Sequence, residues 1–160
     1  MKLDNSKTII SFRIKLFAVT VILLAYIILS YAAKAFKLTL FGWSDTLWTI
    51  ILAAVWLFIA FLPMLLNYQY ISYSDEDDSI VFRYFTAGIV GGKKNSVEID
   101  KRSFAGYKTD KKLFGLISSI TLYQLFKEGV AKYPPIYISA LNKEERSKIF
   151  RSLNILAPKA

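Results

Sequence analysis

The chain has 160 residues and a formal net charge of +9, with 54% hydrophobic and 16% aromatic residues. This length suits one ordinary domain with a small addition. Cys and His are both absent from the sequence, which excludes disulfides, thiolate metal sites and histidine-based acid–base chemistry. We therefore expect no cofactor and no catalytic site, and a metal site would have only carboxylate and carbonyl oxygens to use.

Two uncharged apolar runs dominate the first part of the chain, over residues 16–33 and 47–66. A helix needs about 20 apolar residues to cross a bilayer core of roughly 30 Å. The sequence therefore predicts a two-helix transmembrane hairpin over residues 16–66, preceded by a tail over residues 1–15. A pair of buried helices in a soluble protein is the alternative, but it would need a much larger core than this chain can build.

The orientation of the hairpin follows from the basic residues that flank the two runs. The tail is more basic than the loop between the runs, with Lys2, Lys7, Arg13 and Lys15 against Lys34 and Lys37. Because cytoplasmic segments are the more basic ones, we expect a multi-pass membrane protein with both termini in the cytoplasm.

The segment Ala33-Lys34-Ala35 leaves one alternative, in which the first run is a signal peptide that is cleaved there. The second run would then stop transfer. The carboxyl-terminal domain therefore stays cytoplasmic under both interpretations.

After the second run, the hydrophobic period changes from that of a helix to that of a strand. Residues 70–74 and 79–86 flank the acidic turn 75–78 and are predicted to form a hairpin. Further strands are predicted over residues 96–100, 102–110, 118–127 and 130–139. Pro134 and Pro135 place the start of the last strand at a sheet edge. Alternation predicts that Ile80, Phe82 and Tyr84 share one face of their strand, opposite Val81, Arg83 and Phe85, and that Val97 and Ile99 face the core.

The chain ends in a predicted amphipathic helix. Asn142 is the expected N-cap, and Glu145 lies three residues later, at the second position of a capping box. One apolar stripe at helical spacing is formed by Ile149, Phe150, Leu153 and Leu156. We expect this helix to cover the preceding sheet, because the sheet is its only candidate partner.

Six or seven antiparallel strands followed by one helix, over residues 68–156, resemble the pleckstrin-homology (PH) superfold. With two spans in front, the chain is similar to bacterial PH-like membrane proteins, including the YcxB-like group. The closest likeness is "YPPIYISALNKEER" at residues 133–146, where a last strand ends in a small polar residue and leads into an acid-capped helix. The resemblance implies a cytoplasmic domain built as a partly open barrel of antiparallel strands, with the carboxyl-terminal helix as its cap.

The chain departs from lipid-binding PH domains at the first hairpin turn. Those domains hold inositol phosphates with basic residues around this loop, whereas here the loop is Asp75-Glu76-Asp77-Asp78. Coulomb repulsion disfavours phosphate at this turn, so we do not expect phosphoinositide recognition. Asp75 and Asp77 could bind a divalent cation, but a calcium site needs about six to eight oxygens from a longer loop. A solvated hairpin turn explains the same residues.

The candidate contact site is a basic segment between residues 93 and 112. It is diluted by Glu98, Asp100 and Asp110 and consists of Lys93, Lys94, Lys101, Arg102, Lys108, Lys111 and Lys112. Such a segment can attract the anionic inner leaflet, at about 1 kcal/mol for each basic residue near the surface. Ordinary solvated loops and strand faces are the alternative explanation.

The sequence favours a non-enzymatic adaptor or accessory subunit whose cytoplasmic domain binds a protein partner at the inner leaflet. The partner would be another protein or a second copy of this chain. A module that faces anionic lipid through residues 93–112 is the alternative. Nucleic-acid binding is not expected, because no helix-turn-helix, zinc or RNP pattern is present. An enzyme with an unrecognised site ranks last.

Overall fold

A computed structural model describes residues 1–32, 34, 42–87 and 92–157 of the chain. The chain divides into two compact units. The helical unit comprises Ile10–Leu62, and the β unit comprises Met1–Ile9 together with Pro63–Ala160. The candidate cleavage residues Ala33 and Ala35 and most of the predicted loop lie outside the described residues.

Two long helices account for the helical unit and its flanks. Helix α1 spans Ser6–Ile27 and continues as a π-helical turn over Ile28–Ala32, and α2 spans Asp45–Leu65. Their mean hydropathies are 2.2 and 2.3, and only 0% and 11% of the most apolar windows are buried within the protein. A core helix of a soluble protein would be mostly buried. By length and composition, both helices can cross a membrane.

Polar side chains fasten the two helices to each other inside the helical unit. The Trp56 indole nitrogen donates a hydrogen bond to the Thr20 hydroxyl over 2.8 Å. The hydroxyls of Tyr31 and Thr49 are also 2.8 Å apart. In a bilayer core such polar groups gain from finding partners in the protein. The polar face of the first predicted span therefore packs, at Thr20, on the second helix of the same chain.

Two four-stranded antiparallel sheets form the framework of the β unit. The strand order is β1-β2-β3-β4 in the first sheet and β5-β6-β7 in the second, where β8 also pairs with β6. The strands are β1 Lys2–Asp4, β2 Gln69–Ser74, β3 Ser79–Thr86, β4 Asn95–Asp100, β5 Phe104–Lys112, β6 Ile117–Phe126, β7 Gly129–Lys132 and β8 Ile136–Tyr137. No strand pairing among the described residues joins the two sheets into a closed barrel.

One hydrophobic core lies under the sheets and the final helix, α3 (Lys143–Leu156). The predicted alternation is confirmed, because Ile80, Phe82 and Tyr84 lie on one face of β3. The structure shows that this face is the buried one, and Val97 and Ile99 are buried as predicted. Ile149 and Leu153 of α3 are fully buried, and Phe150 and Leu156 pack at the edge of the core. The predicted stripe thus covers the strands as expected.

The capping box of α3 is present as predicted. The Asn142 side chain accepts a hydrogen bond from the Glu145 amide over 2.8 Å, and the Glu145 carboxylate accepts one from the Asn142 amide over 2.8 Å. The capping box therefore provides acceptors for the backbone amides of Asn142 and Glu145, which have no partner within the helix.

The first residues differ from the predicted tail, because they belong to the first sheet. Strand β1 pairs with β2 in the register Lys2↔Ser74, Leu3↔Tyr73 and Asp4↔Ser72. Asn5 extends the pairing, since its amide donates to Ile71 O over 3.2 Å and its side chain bonds the backbone of Gln69 and Ile71. A three-residue strand has no periodicity of its own, so its register comes from a partner far along the chain.

The strand predicted over residues 130–139 is two shorter strands, β7 and β8. Residues 133–135 separate them, and both pair with β6. Pro134 and Pro135 have no amide hydrogen to donate, so the ladder is interrupted where they stand. Their predicted place at a sheet edge is confirmed by the pairing of β8 with β6 alone.

Candidate functional site

The β unit has a junction end, where the chain leaves for the helical unit and returns from it. The chain leaves after Ile9 and re-enters at Pro63. A small cluster at this end packs Ile9 against Ala87 and Ala140, with Tyr68 and Tyr70 around it. Strand β2 therefore starts at the junction end.

The opposite end of the unit, the far end, bears the acidic turn 75–78 between β2 and β3. Lys101 binds this turn twice: its amide donates to Asp78 O over 2.9 Å and its ammonium to Asp75 O over 2.7 Å. The acidic turn therefore lies away from the junction end and has a basic residue bound to its backbone.

The structure divides the basic segment between the two ends. Lys93 and Lys94 precede β4, whose first residue, Asn95, pairs with Tyr84 near the junction end. The Gly92 amide also donates to Thr86 O over 3.3 Å. Lys101 and Arg102 follow β4 at the far end. At about 3.4 Å per residue, the six residues of β4 separate these pairs by about 20 Å.

The three remaining lysines of the segment lie on β5, which runs toward the junction end. Lys112 pairs with Ile117, and the amide of the next residue, Ser118, donates a hydrogen bond to the Ser139 hydroxyl over 3.1 Å. Ser139 precedes Ala140 of the junction cluster. Lys111 and Lys112 thus lie at the junction end, whereas Lys108 pairs with Thr121 farther along the strand.

The turn between β5 and β6 carries a feature that the sequence analysis missed. Leu113 and Leu116 are 58% and 61% exposed, and Phe114 is fully exposed. We call these three residues the apolar tip. The signal was available in "KKLFGL", where large apolar residues occupy a hairpin turn in which polar residues and glycine are usual.

A second exposed apolar group lies on the hairpin between β6 and β7. Leu125, Phe126 and Val130 are 49%, 56% and 58% exposed, and Leu125 pairs with Val130. We call these three residues the far patch. The nearby Gln124 side chain donates to the Ser103 hydroxyl over 2.9 Å, next to the Lys101–Arg102 turn. The far patch therefore lies toward the far end.

Asp75 is the most strongly held carboxylate at the far end. It accepts hydrogen bonds from the amino-terminal ammonium, from the Ser152 hydroxyl and, over 3.4 Å, from the Tyr73 hydroxyl. Burial raises the pKa of Asp75, but the hydrogen bonds from the ammonium and Ser152 outweigh it and lower the pKa below the usual range. Burial also raises the pKa of Tyr73, which stays a neutral phenol.

A groove of about 440 Å³ lies where α3 packs beside β5. Lys111 and Ser118, which are cross-strand partners, both line it. Ser118 donates to Gly115 O over 3.4 Å, and Arg146 donates to the carbonyls of Leu141 and Ser139. Among the described residues, no general base is hydrogen-bonded to the serines of this groove.

Acidic side chains are the candidate metal ligands of this chain, because it has no Cys or His. Within residues 1–32, 34, 42–87 and 92–157, no group of three or more Asp or Glu could hold a metal ion. The acidic turn is thus a hairpin turn whose Asp75 is occupied by hydrogen-bond donors.

Comparison with protein-family models, with curated proteins and with solved structures found no match to this chain. Its function must therefore be argued from its own residues.

Proposed function

We propose that this chain is a non-enzymatic integral membrane protein of the bacterial inner membrane, and that its β unit is an adaptor for a protein partner. Helices α1 and α2 form the anchor. The cytoplasmic β unit presents the far patch to the partner.

The pairing of β1 with β2 supports the hairpin topology. Strand β1 pairs with β2 in the first sheet, and Leu3 packs against the core of the β unit. Residues 1–9 and 63–157 therefore lie on one side of any membrane that the intervening helices cross. If both α1 and α2 cross the membrane, the two segments are on the same side, whereas a single crossing would separate them. Cleavage after residue 35 would also remove β1 and Asn5 from the sheet, which argues against the signal-peptide alternative.

The observation that carries the adaptor role is the far patch. A soluble surface gains nothing from three large apolar side chains on one hairpin, and such patches commonly mark interaction sites. The ten residues of β6 extend about 33 Å from the junction end. A patch at that distance from the point of anchorage is suited to a protein in the cytoplasm rather than to the bilayer.

The order of the elements supports a PH-like fold for the β unit. Seven strands over residues 69–137 precede the capping helix α3, as in the PH superfold. The amino-terminal strand β1 is an addition to that pattern, and it ties the tail to the domain.

Affinity purification tests the adaptor role. The full chain carries a carboxyl-terminal tag and is purified from native membranes in mild detergent, and proteins are identified by mass spectrometry. We expect a stoichiometric protein partner that is lost from Leu125→Ser/Phe126→Ser and retained by Leu113→Ser/Leu116→Ser. If the wild type carries no stoichiometric protein, or the two variants lose it equally, the proposal is wrong.

Contact with anionic lipid is the second candidate function, and the division of the basic segment favours it. Four of its residues, Lys93, Lys94, Lys111 and Lys112, lie toward the junction end, whereas the acidic turn lies at the far end. Attraction to the leaflet therefore acts at the end that is tethered to it.

Hydrogen exchange in nanodiscs tests this second function. Amides at residues 92–95 and 108–112 should exchange more slowly in anionic than in neutral nanodiscs, and added salt should remove the difference. Arg102, at the far end, supplies the control position. Equal exchange in both lipids would exclude electrostatic contact.

A further inference from the structure

Among the described residues of the β unit, the apolar tip has no packing partner, and it projects from the paired strands β5 and β6. Strands β5 and β6 pair as far as Lys112↔Ile117, and the turn beyond them carries Leu113, Phe114 and Leu116 into solvent. Removing such large side chains from water would be strongly favourable. A ligand for this turn must therefore be apolar.

The backbone of the tip is held in a conformation that its residues do not favour. Leu113, Phe114 and Gly115 have φ values of 48°, 54° and 90°. Only the glycine adopts this left-handed region without steric cost, and bulky residues there are uncommon. Backbone strain of this kind is concentrated at functional sites, and here the strained residues are the ones whose large apolar side chains are exposed.

The surroundings of the tip identify its ligand. The tip lies at the junction end, from which the chain enters the apolar helices. Lys111 and Lys112 precede it directly. Together with the preceding Asp110, they leave this end of β5 with a net positive charge. On α3, Glu144 is paired with Lys148 over 2.7 Å, and Glu145 closes the capping box. An apolar tip with a basic collar matches an anionic bilayer surface.

We propose that the turn Leu113–Leu116 inserts into the leaflet in which the chain is anchored, with Lys111 and Lys112 binding anionic headgroups. The inserted side chains reach the boundary between headgroups and acyl chains. The proposal rests on the second candidate function, lipid contact at the junction end, and adds a specific apolar wedge to it. The wedge would give the β unit a third point of attachment besides its two chain connections.

A single fluorescent label on the full chain tests the insertion. The sequence contains no Cys, so Phe114→Cys provides one labelling position. Val130→Cys is the matched control, because Val130 is an exposed apolar residue on the other hairpin. Both proteins are reconstituted in vesicles of neutral lipid, or of neutral lipid mixed with phosphatidylglycerol, and labelled with an environment-sensitive dye.

The expected result is a blue-shifted label at position 114 that lipid-bound quenchers reach and iodide does not. The label at position 130 should stay accessible to iodide. If the label at position 114 is as accessible to iodide as that at position 130, the insertion does not occur. A protected label that lipid-bound quenchers do not reach would place a protein, such as a second copy, on the tip and would also overturn the proposal.

The lysines provide a further test. Replacing Lys111 or Lys112 by Gln should lower the ratio of inserted to free tip about fivefold for each lysine in anionic vesicles, and not in neutral ones. Failure of the insertion can be distinguished from failure of the electrostatic lipid contact on which it rests. Lipid-dependent hydrogen exchange at residues 92–95 without burial of the label at position 114 would retain electrostatic contact and overturn the wedge alone.

Discussion

At the scale of single residues, the side chain of Asn5 makes hydrogen bonds to β2 that a strand backbone would otherwise make. It is completely buried, and its side chain donates to Gln69 O over 2.9 Å and accepts from the Ile71 amide over 2.8 Å. These two bonds continue the β1–β2 ladder at the point where the chain turns into α1. The side chain therefore links the sheet to the start of the first helix.

We predict that Asn5→Ala destabilises the β unit by about 2–4 kcal/mol, because it leaves two buried backbone groups unsatisfied. Native-state hydrogen exchange of β2 amides in detergent measures this free energy. Asn95→Ala is the control, since Asn95 is exposed and its removal should change stability by less than about 0.5 kcal/mol. Equal effects of the two substitutions would contradict the role of Asn5.

Asp75 makes the stability of the far end depend on pH. Because hydrogen bonds lower the pKa of Asp75 below its ordinary value of 3.8, the unfolded chain binds more protons between the two pKa values. The stabilisation is therefore complete above the unfolded pKa and is lost as the pH falls through the folded pKa.

We predict that Asp75→Asn lowers the stability of the β unit by roughly 1–2 kcal/mol at neutral pH and flattens its dependence on acid. Thermal unfolding at neutral pH and below pH 4 measures both effects. Asp77→Asn, at an exposed position of the same turn, is the matched control. A full acid dependence in Asp75→Asn would show that another group is responsible.

We expect the residues of the apolar tip to lower the stability of the β unit while they enable its insertion into lipid. Replacing Leu113 and Phe114 by Asn, which tolerates the left-handed region, should stabilise the β unit by about 1 kcal/mol. The same change removes the apolar side chains and should abolish protection of the turn by lipid. Hydrogen exchange of β5 and β6 measures the stability. Destabilisation by the double substitution would mean that the tip packs on the fold.

At the scale of elements, local signals were sufficient where an element carries its own pattern. The predicted strand over residues 79–86 coincides with β3, because alternation and the acidic turn fix its limits. The N-cap at Asn142 was predicted from a four-residue motif. Strand β1 escaped prediction because its register is set by residues 72–74, and propensity alone cannot indicate so distant a partner.

The same limit applies to the candidate site. The basic residues between 93 and 112 form one segment in the sequence. Strand β4 lies within this segment and separates the residues before it from those after it by the length of the sheet. Lys94 and Lys101 belong to the same basic segment of the sequence but lie beyond opposite ends of β4. The apolar tip was missed for a different reason. The prediction of membrane contact rested on the basic residues alone and left out Phe114 in the adjacent turn.

At the scale of the whole molecule, segments from before and after the two long helices pair in one sheet, as β1 and β2, and this restricts the topology. Strand β1 cannot pair with β2 across a bilayer. Lys7 and Asp77 must therefore be on one side. Ser44, which lies just before α2, must be on the other if α1 crosses the membrane.

We predict this pattern for single cysteines at positions 7, 44 and 77, treated with a membrane-impermeant maleimide. Position 44 should react in intact cells, whereas positions 7 and 77 should react only after the inner membrane is permeabilised. The reverse pattern would keep the hairpin and place the β unit outside, against the basic-residue rule. Positions 7 and 77 on opposite sides would rule out the β1–β2 pairing, and with it the anchor on which the adaptor and the inserted tip both depend.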